Sequence, residues 1–478
     1  MTSSGRFDRY GEWMTRNSVR GLLLGVALSA STALSAGSAL ADSLSTAMEK
    51  AYSTNPTLNS ARAGQRATDE QVPQALSGWR PDVTVNGTLM TSDTQKSEHV
   101  EDGDVNIVLT QPLFRGFRTV EGTKAAEARV DAGRQNLLQV EQEVLFNVVQ
   151  AYMDVYAGRQ LVALQKQNVA ALQGQLKASN ERFAVGEITR TDVAQSRASL
   201  AAAKTQLVTA ETNLATSVAT YMQMTGDEPG KLNYPKYNKV PKSLKSALQI
   251  AGETNPQILA QAFVEAAANF DVNVARGSLL PEAYLQARAG VSDTFGDKTT
   301  IIKNGKPVQV GIDPLRSTSL SANITIPLYS NGGSVYSSVR QAKQLASQRR
   351  IQVIEGARAV RKAVAEAWNA YVAYADIIAN AKTQVSAAQL ALSGVQQEYQ
   401  AGTRTTLDVL NAQRDLVVAK TTLVNAEKNR VVASYQLMAA IGHLTANDLN
   451  LNVAIYDPSE NYNRVRNKWF GSDVETVE

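Results

Sequence analysis

The chain has 478 residues, no cysteine and only two histidines, His99 and His443, with 48 basic side chains against 44 acidic ones. Disulfides, thiolate metal sites and chemistry built on Cys or His are thereby nearly excluded. A net charge of +4 gives no field that would favour nucleic acid.

The first element is a leader over residues 1–41. Arg16 and Arg20 precede GLLLGVALSASTALSAGSALA, a short apolar run that ends in the small-residue pattern Ala39-Leu40-Ala41. This is the pattern of a secretory signal peptide, with cleavage expected after Ala41. Removing it takes away four basic and two acidic residues and leaves a charge of +2. No later stretch reaches the ~18 apolar residues of a spanning helix. An exported chain of this kind could enter a membrane only through its strands.

Residues 42–226 form a first unit. Asn55-Pro56 supplies an N-cap with proline at the first helical position and opens a helix at about 56–78. Two strands are expected at about 81–92 and 104–113, joined by a polar loop that carries His99. In them Val83, Val85 and Leu89 alternate with Thr84, Asn86 and Thr88, and Val105, Ile107 and Leu109 keep the period of two. Pro81 and Pro112 are placed at strand margins, where a missing donor is tolerated. A long helix follows at about 117–180, then a hairpin at 183–192 and a helix at about 189–225. Leu137, Val144, Val148, Ala151 and Val155 give the long helix only a narrow apolar stripe among many glutamines.

Residues 227–250 are a connector, and residues 251–442 repeat the first unit. SLSTAMEKAYSTNPTL from Ser43 matches SLKSALQIAGETNPQI from Ser243 at an offset of 200; the offset becomes 216 where Gly186 meets Gly402. The second unit predicts a helix at about 256–279, strands at about 281–292 and 317–329, a long helix at about 332–397, a hairpin at 399–408 and a helix at about 405–441. The extra residues between Val291 and Ser317 read as a loop. Residues 443–478 close the chain.

The long helices would each span roughly 95–100 Å, and a leading and a trailing helix laid end to end would nearly match one. From the helices alone, a soluble coiled-coil bundle fits as well as anything else. The strands are long enough to cross a bilayer and alternate as outer-membrane strands do, although a small β-sandwich remains open. Four strands cannot close a barrel, for which about eight is the minimum, so membrane insertion would require several chains.

The order helix, strand pair, long helix, glycine hairpin, shorter helix, met twice, resembles the TolC family of outer-membrane efflux and secretion channels. The likeness rests on the paired Asn-Pro motifs, on Gln111-Pro112-Leu113-Phe114, and on Phe183-Ala-Val-Gly186 through Thr191-Asp192-Val193. It rests also on Tyr399-Gln-Ala-Gly402-Thr-Arg404 through Asp408-Val409-Leu410, and on the tail YDPSENYNRVRNKWFG from Tyr456. The resemblance implies an α+β membrane protein: a homotrimer with a 12-stranded barrel in outer-membrane lipid, four strands per chain, continuous with a long periplasmic α-helical barrel. It implies an equatorial girdle from residues 227–250 and from the C-terminal segment 443–478. It implies a duct for efflux or type I secretion that opens when a periplasmic adaptor and an inner-membrane transporter dock on the hairpin tips.

The tips carry the candidate functional residues. Gly186 and Gly402 are expected in the left-handed turn conformation, and Thr189 with Asp192, like Thr405 with Asp408, has capping-box spacing. Tyr399 and Arg404 cap nothing evident. The resemblance assigns them a gate, with Tyr399 bonded to Asp192, Arg404 bonded to Thr191 and Asp192, and Asp408 ringing the constriction. Asn411 stands where well-known members have a second acid.

An enzyme is the main contrast. No GxSxG, HExxH, CxxC or P-loop lysine motif is present, and Asn331-Gly332-Gly333-Ser334 lacks the lysine of a phosphate loop. No cofactor or metal site is read from the sequence. A periplasmic coiled-coil adaptor, or a structural protein without a channel, is the remaining alternative.

Overall fold

A computed structural model describes residues 43–94, 97–235, 240–295, 298–303, 305–311, 313–329 and 331–474. The leader expected over residues 1–41 lies outside the described residues. Helix α1 (Leu44–Thr54) starts at a Ser43 cap, and α2 (Pro56–Asp69) starts at Asn55, whose side chain accepts from the Thr57 amide. The single helix expected to residue 78 is broken: α3 (Gln71–Leu76) follows, then a 3-10 turn over Ser77–Trp79. Pro73 has no N–H for the Asp69 carbonyl one turn back, so the ladder parts there.

Strands β1 (Asp82–Thr94) and β2 (Ser97–Arg115) pair as one long hairpin, down to Thr94 opposite Ser97. The described part of the loop expected between residues 92 and 104, namely 93–94 and 97–103, is therefore strand. Its side chains are polar and break the alternation, but a ladder is held by backbone groups and needs no apolar face. Pro112 falls inside β2, at a register shift between Pro112 and Phe114 that accommodates the missing donor.

Helix α4 (Arg118–Ala184) has 67 residues and α5 (Arg190–Thr225) has 36, about 100 and 54 Å. The second unit contributes α6 (Leu244–Thr254), α7 (Pro256–Gly277) and β3 (Glu282–Phe295). Next come β4 (Lys298–Lys303) and β5 (Lys306–Gly311), a small separate hairpin in the stretch expected to be a loop. Then follow β6 (Leu315–Thr325), α8 (Ser334–Gln400, 67 residues), α9 (Thr406–Ala440) and α10 (Pro458–Val465).

The four main strands form one antiparallel sheet in the order β1-β2-β3-β6. Helix α4 packs against α5 and α7, and α8 packs against α9 and α7. Leading and trailing helices meet end to end through the Asn-Pro caps. The Asn55 amide donates to the Met224 carbonyl of α5 at 3.1 Å. In the second unit Asn255 donates to the Ala440 carbonyl of α9 at 2.9 Å. One side chain thus starts a helix and satisfies the end of another.

The main core gathers around the middle of α4, where Leu145, Val148, Val149 and Tyr152 meet Leu437 and Leu444. The two connecting segments join it there. The Tyr152 hydroxyl donates to the Asn233 carbonyl at 2.7 Å, and the Ala446 amide donates to Glu141 at 2.7 Å. The tail was expected to stay at this level throughout, and it does not. Helix α10 lies on α2, Arg466 pairs with Glu127 at 2.8 Å, and Arg80 donates to the Lys468 carbonyl at 2.9 Å, beside the start of β1.

Candidate functional site

Two regions can carry function, the sheet and the hairpin tips at the far ends of α4 and α8. The register puts Val83 opposite Leu109 and Val85 opposite Ile107; Val105 then faces Val291, Leu109 faces Ala287, and Ala287 faces Leu320. One face of all four strands is therefore largely apolar over its middle, with Thr318 and Arg316 of β6 breaking it opposite Ala289 and Val291. On β2 that face is the more exposed one, with Val105 58% and Ile107 50% exposed; on the edge strands β1 and β6 both faces are open, Val85 being 68% and Leu320 71% exposed.

The other face holds polar groups, and Asn106 on it is 5% exposed. Asn106 donates to Asp104, Asn86 donates to Asn106 at 3.4 Å, and Arg288 lies 3.6 Å from Asp104. A largely apolar exposed face backed by a polar one is the pattern of a strand in lipid. No helix among the described residues is long and apolar enough to cross a membrane.

At the tips both glycines take the turn conformation, Gly186 at φ +79° and Gly402 at φ +83°. Each turn is followed by a complete capping box. The Asp192 carboxylate accepts from the Thr189 amide at 3.0 Å, while the Asp192 amide donates to the Thr189 hydroxyl at 3.2 Å. Thr405 and Asp408 repeat this at 2.9 and 3.3 Å. The Thr189 hydroxyl and amide hold the Asp192 carboxyl below its ordinary range. The Thr405 amide and hydroxyl do the same for Asp408.

The expected gate contacts are not made within one chain. The Tyr399 hydroxyl reaches Thr406 Oγ1 at 3.3 Å rather than Asp192, and Arg404 Nε donates to Glu398 at 2.7 Å rather than to Thr191 or Asp192. Arg404 therefore has a partner in its own hairpin, and Glu398 raises its pKa further. The reason is local: residues 398 and 404 flank the same turn. The two hairpins are joined by a residue that spacing does not reveal. The Arg182 guanidinium at the end of α4 stacks on the Tyr399 ring at 4.4 Å from its centre.

Comparison with known proteins fits this geometry. Residues 47–227 and 247–443 match the family described as Outer membrane efflux protein. The chain is 41% identical over 451 residues to the outer membrane efflux protein BepC of Brucella suis biovar 1 (strain 1330), covering 94% of this chain and 96% of the relative. It is 28% identical to the outer membrane protein TolC of Escherichia coli (strain K12) over 449 residues, 91% and 89% of the two chains. The crystal structure of the Campylobacter jejuni CmeC outer membrane channel superposes with a TM-score of 0.72 at 17% identity, covering 89% of each chain.

Proposed function

The chain belongs to the outer membrane efflux protein family, and from that premise we propose that three copies form the exit duct of a tripartite efflux pump or a type I secretion system. The family is one of outer-membrane channels, and the chain is placed in the outer membrane. Each copy supplies its four strands to a shared twelve-stranded barrel and its helices to a tube that holds most of the mass in the periplasm. One observation carries this reading above the others. A sheet with one largely apolar face, open at both edges among the described residues, leads through β2 into α4 and through β6 toward α8, helices of 67 residues each.

The tips then stand at the periplasmic entrance, about 100 Å from the strands. There a periplasmic adaptor and an inner-membrane transporter dock. In the resting state, Tyr399 and Arg404 face Thr191 and Asp192 across neighbouring hairpins, and Asp408 rings the narrowed mouth. Arg404 exchanges Glu398 for these partners as the tip closes. Docking separates the hairpins and opens the duct.

Single-channel recording in planar bilayers, with native mass spectrometry of the same sample, tests this reading. Tyr399→Phe with Arg404→Ser should raise conductance while the trimer persists. An inserted trimer of this variant that conducts like wild type would show that these residues do not hold the tip. A stable monomer with full strand content would overturn the shared barrel.

A further inference from the structure

We propose that the loop Lys468–Asp473 is a membrane-interface anchor that seats Trp469 and Phe470 at the headgroup–acyl boundary of the outer membrane's periplasmic leaflet. The loop is built rather than left loose. Lys468 Nζ donates to the Asp473 carbonyl at 3.1 Å and to its carboxylate at 2.8 Å. Gly471 turns the chain at φ +98°, and a Cβ there would lie 2.6 Å from Asp473 Oδ1. Arg80 fixes the loop from below, through the Lys468 carbonyl and by lying over the Trp469 ring at 5.0 Å.

What this ordered loop displays is apolar. Phe470 is 85% exposed and Trp469 56%, with their ring centres 6.4 Å apart. A closed loop that presents two adjacent aromatic rings to water is a docking surface. Its position selects the occupant. Arg80 lies two residues before β1, so the rings stand beside the foot of the sheet. Trp79 before β1 and Phe117 after β2 are exposed at the same end, 38% and 57%. Amphipathic tryptophan beside cationic side chains is the chemistry of a bilayer interface. The tail leaves the core to reach this level, held by Arg466 to Glu127 and by Asn461 to the buried Asp69.

The test uses the full trimer in liposomes. The mature chain has three tryptophans, Trp79, Trp368 and Trp469; Trp79→Phe with Trp368→Phe leaves Trp469 as sole reporter. Its emission should be quenched strongly by lipids brominated near the headgroup end of the acyl chain and weakly by lipids brominated near the methyl end. A companion protein replaces all three tryptophans by Phe and carries Leu89→Trp on the outward face of β1. If that reporter is quenched while Trp469 is not, the loop faces water or a neighbouring copy and the proposal is overturned. If neither is quenched, the membrane reading of the strands falls, and the proposal falls with it.

Discussion

At the level of single side chains, burial and hydrogen bonding pull carboxylates in opposite directions. Glu141 on α4 is buried, and burial holds its pKa above the ordinary 4.5. The folded chain therefore binds this proton more readily than the unfolded one. The resulting stability is fully present below pH 4.5 and is lost as pH rises through the folded value. Glu141→Gln drops the charge but keeps an acceptor for the Ala446 amide, so its thermal midpoint at pH 7 should equal or exceed that of wild type. Glu141→Ala leaves that N–H unpaired and should cost about 1–3 kcal/mol. Asp192 and Asp408 behave in the opposite sense. Their pKa values lie below the ordinary 3.8, so their caps hold above that pH and are lost only as pH falls through the depressed values. Asp408→Asn can still accept from the Thr405 amide; it should shift the reversal potential away from cations while single-channel conductance stays at its closed level. Those caps were legible because a Thr-x-x-Asp spacing determines them. The Arg182–Tyr399 stack and the Glu398–Arg404 pair were not, because each depends on how two helix ends approach in space.

At the level of elements, the Asn-Pro motif does more than its sequence shows. Proline at the first helical position made the starts of α2 and α7 readable, but nothing local shows that the same asparagine amide reaches the end of another helix. The two roles can be separated. Asn255→Ser keeps a capping oxygen and loses the donor to Ala440, which should cost about 1 kcal/mol. Asn255→Ala loses the cap as well and should cost about 2 kcal/mol in all. Helical circular dichroism followed through thermal unfolding ranks the two; equal losses would mean that the junction bond contributes nothing. The strands show what periodicity can reveal. Alternation marked the part of β1 and β2 that carries the apolar face, and it vanished where the hairpin continues with polar side chains. It vanished also over β4 and β5, whose ladder is a backbone matter. The break between α2 and α3 was visible as Pro73, inside a stretch that otherwise reads as continuous helix.

At the level of the whole molecule, the proposed ring of copies rests on the edges of the sheet. The order β1-β2-β3-β6 leaves the outer edges of β1 and β6 without a partner strand among the described residues. Exposed edges of this length recruit other strands, and backbone groups in lipid must all be paired. β1 and β6 run antiparallel to each other, since each of the three pairings between them reverses direction. The β1 edge of one copy can therefore receive the β6 edge of the next and close a ring in which every junction is alike. Because the chain has no cysteine, this junction can be mapped without background. Asn86 on β1 and Ser317, Ser319, Ser321 and Asn323 on β6 all lie on the polar face. Asn86→Cys combined in turn with a cysteine at each of the four β6 positions tests four registers. A disulfide needs Cα atoms about 4.4–6.8 Å apart, so adjacent registers should not all react. One register should give a covalent trimer on non-reducing gels after mild oxidation in the membrane, and the neighbouring registers should give little. Cross-linking that stops at dimers would mean the ring does not close. A folded, inserted protein that cross-links in none of the four would show that β1 and β6 are not joined between copies over this stretch.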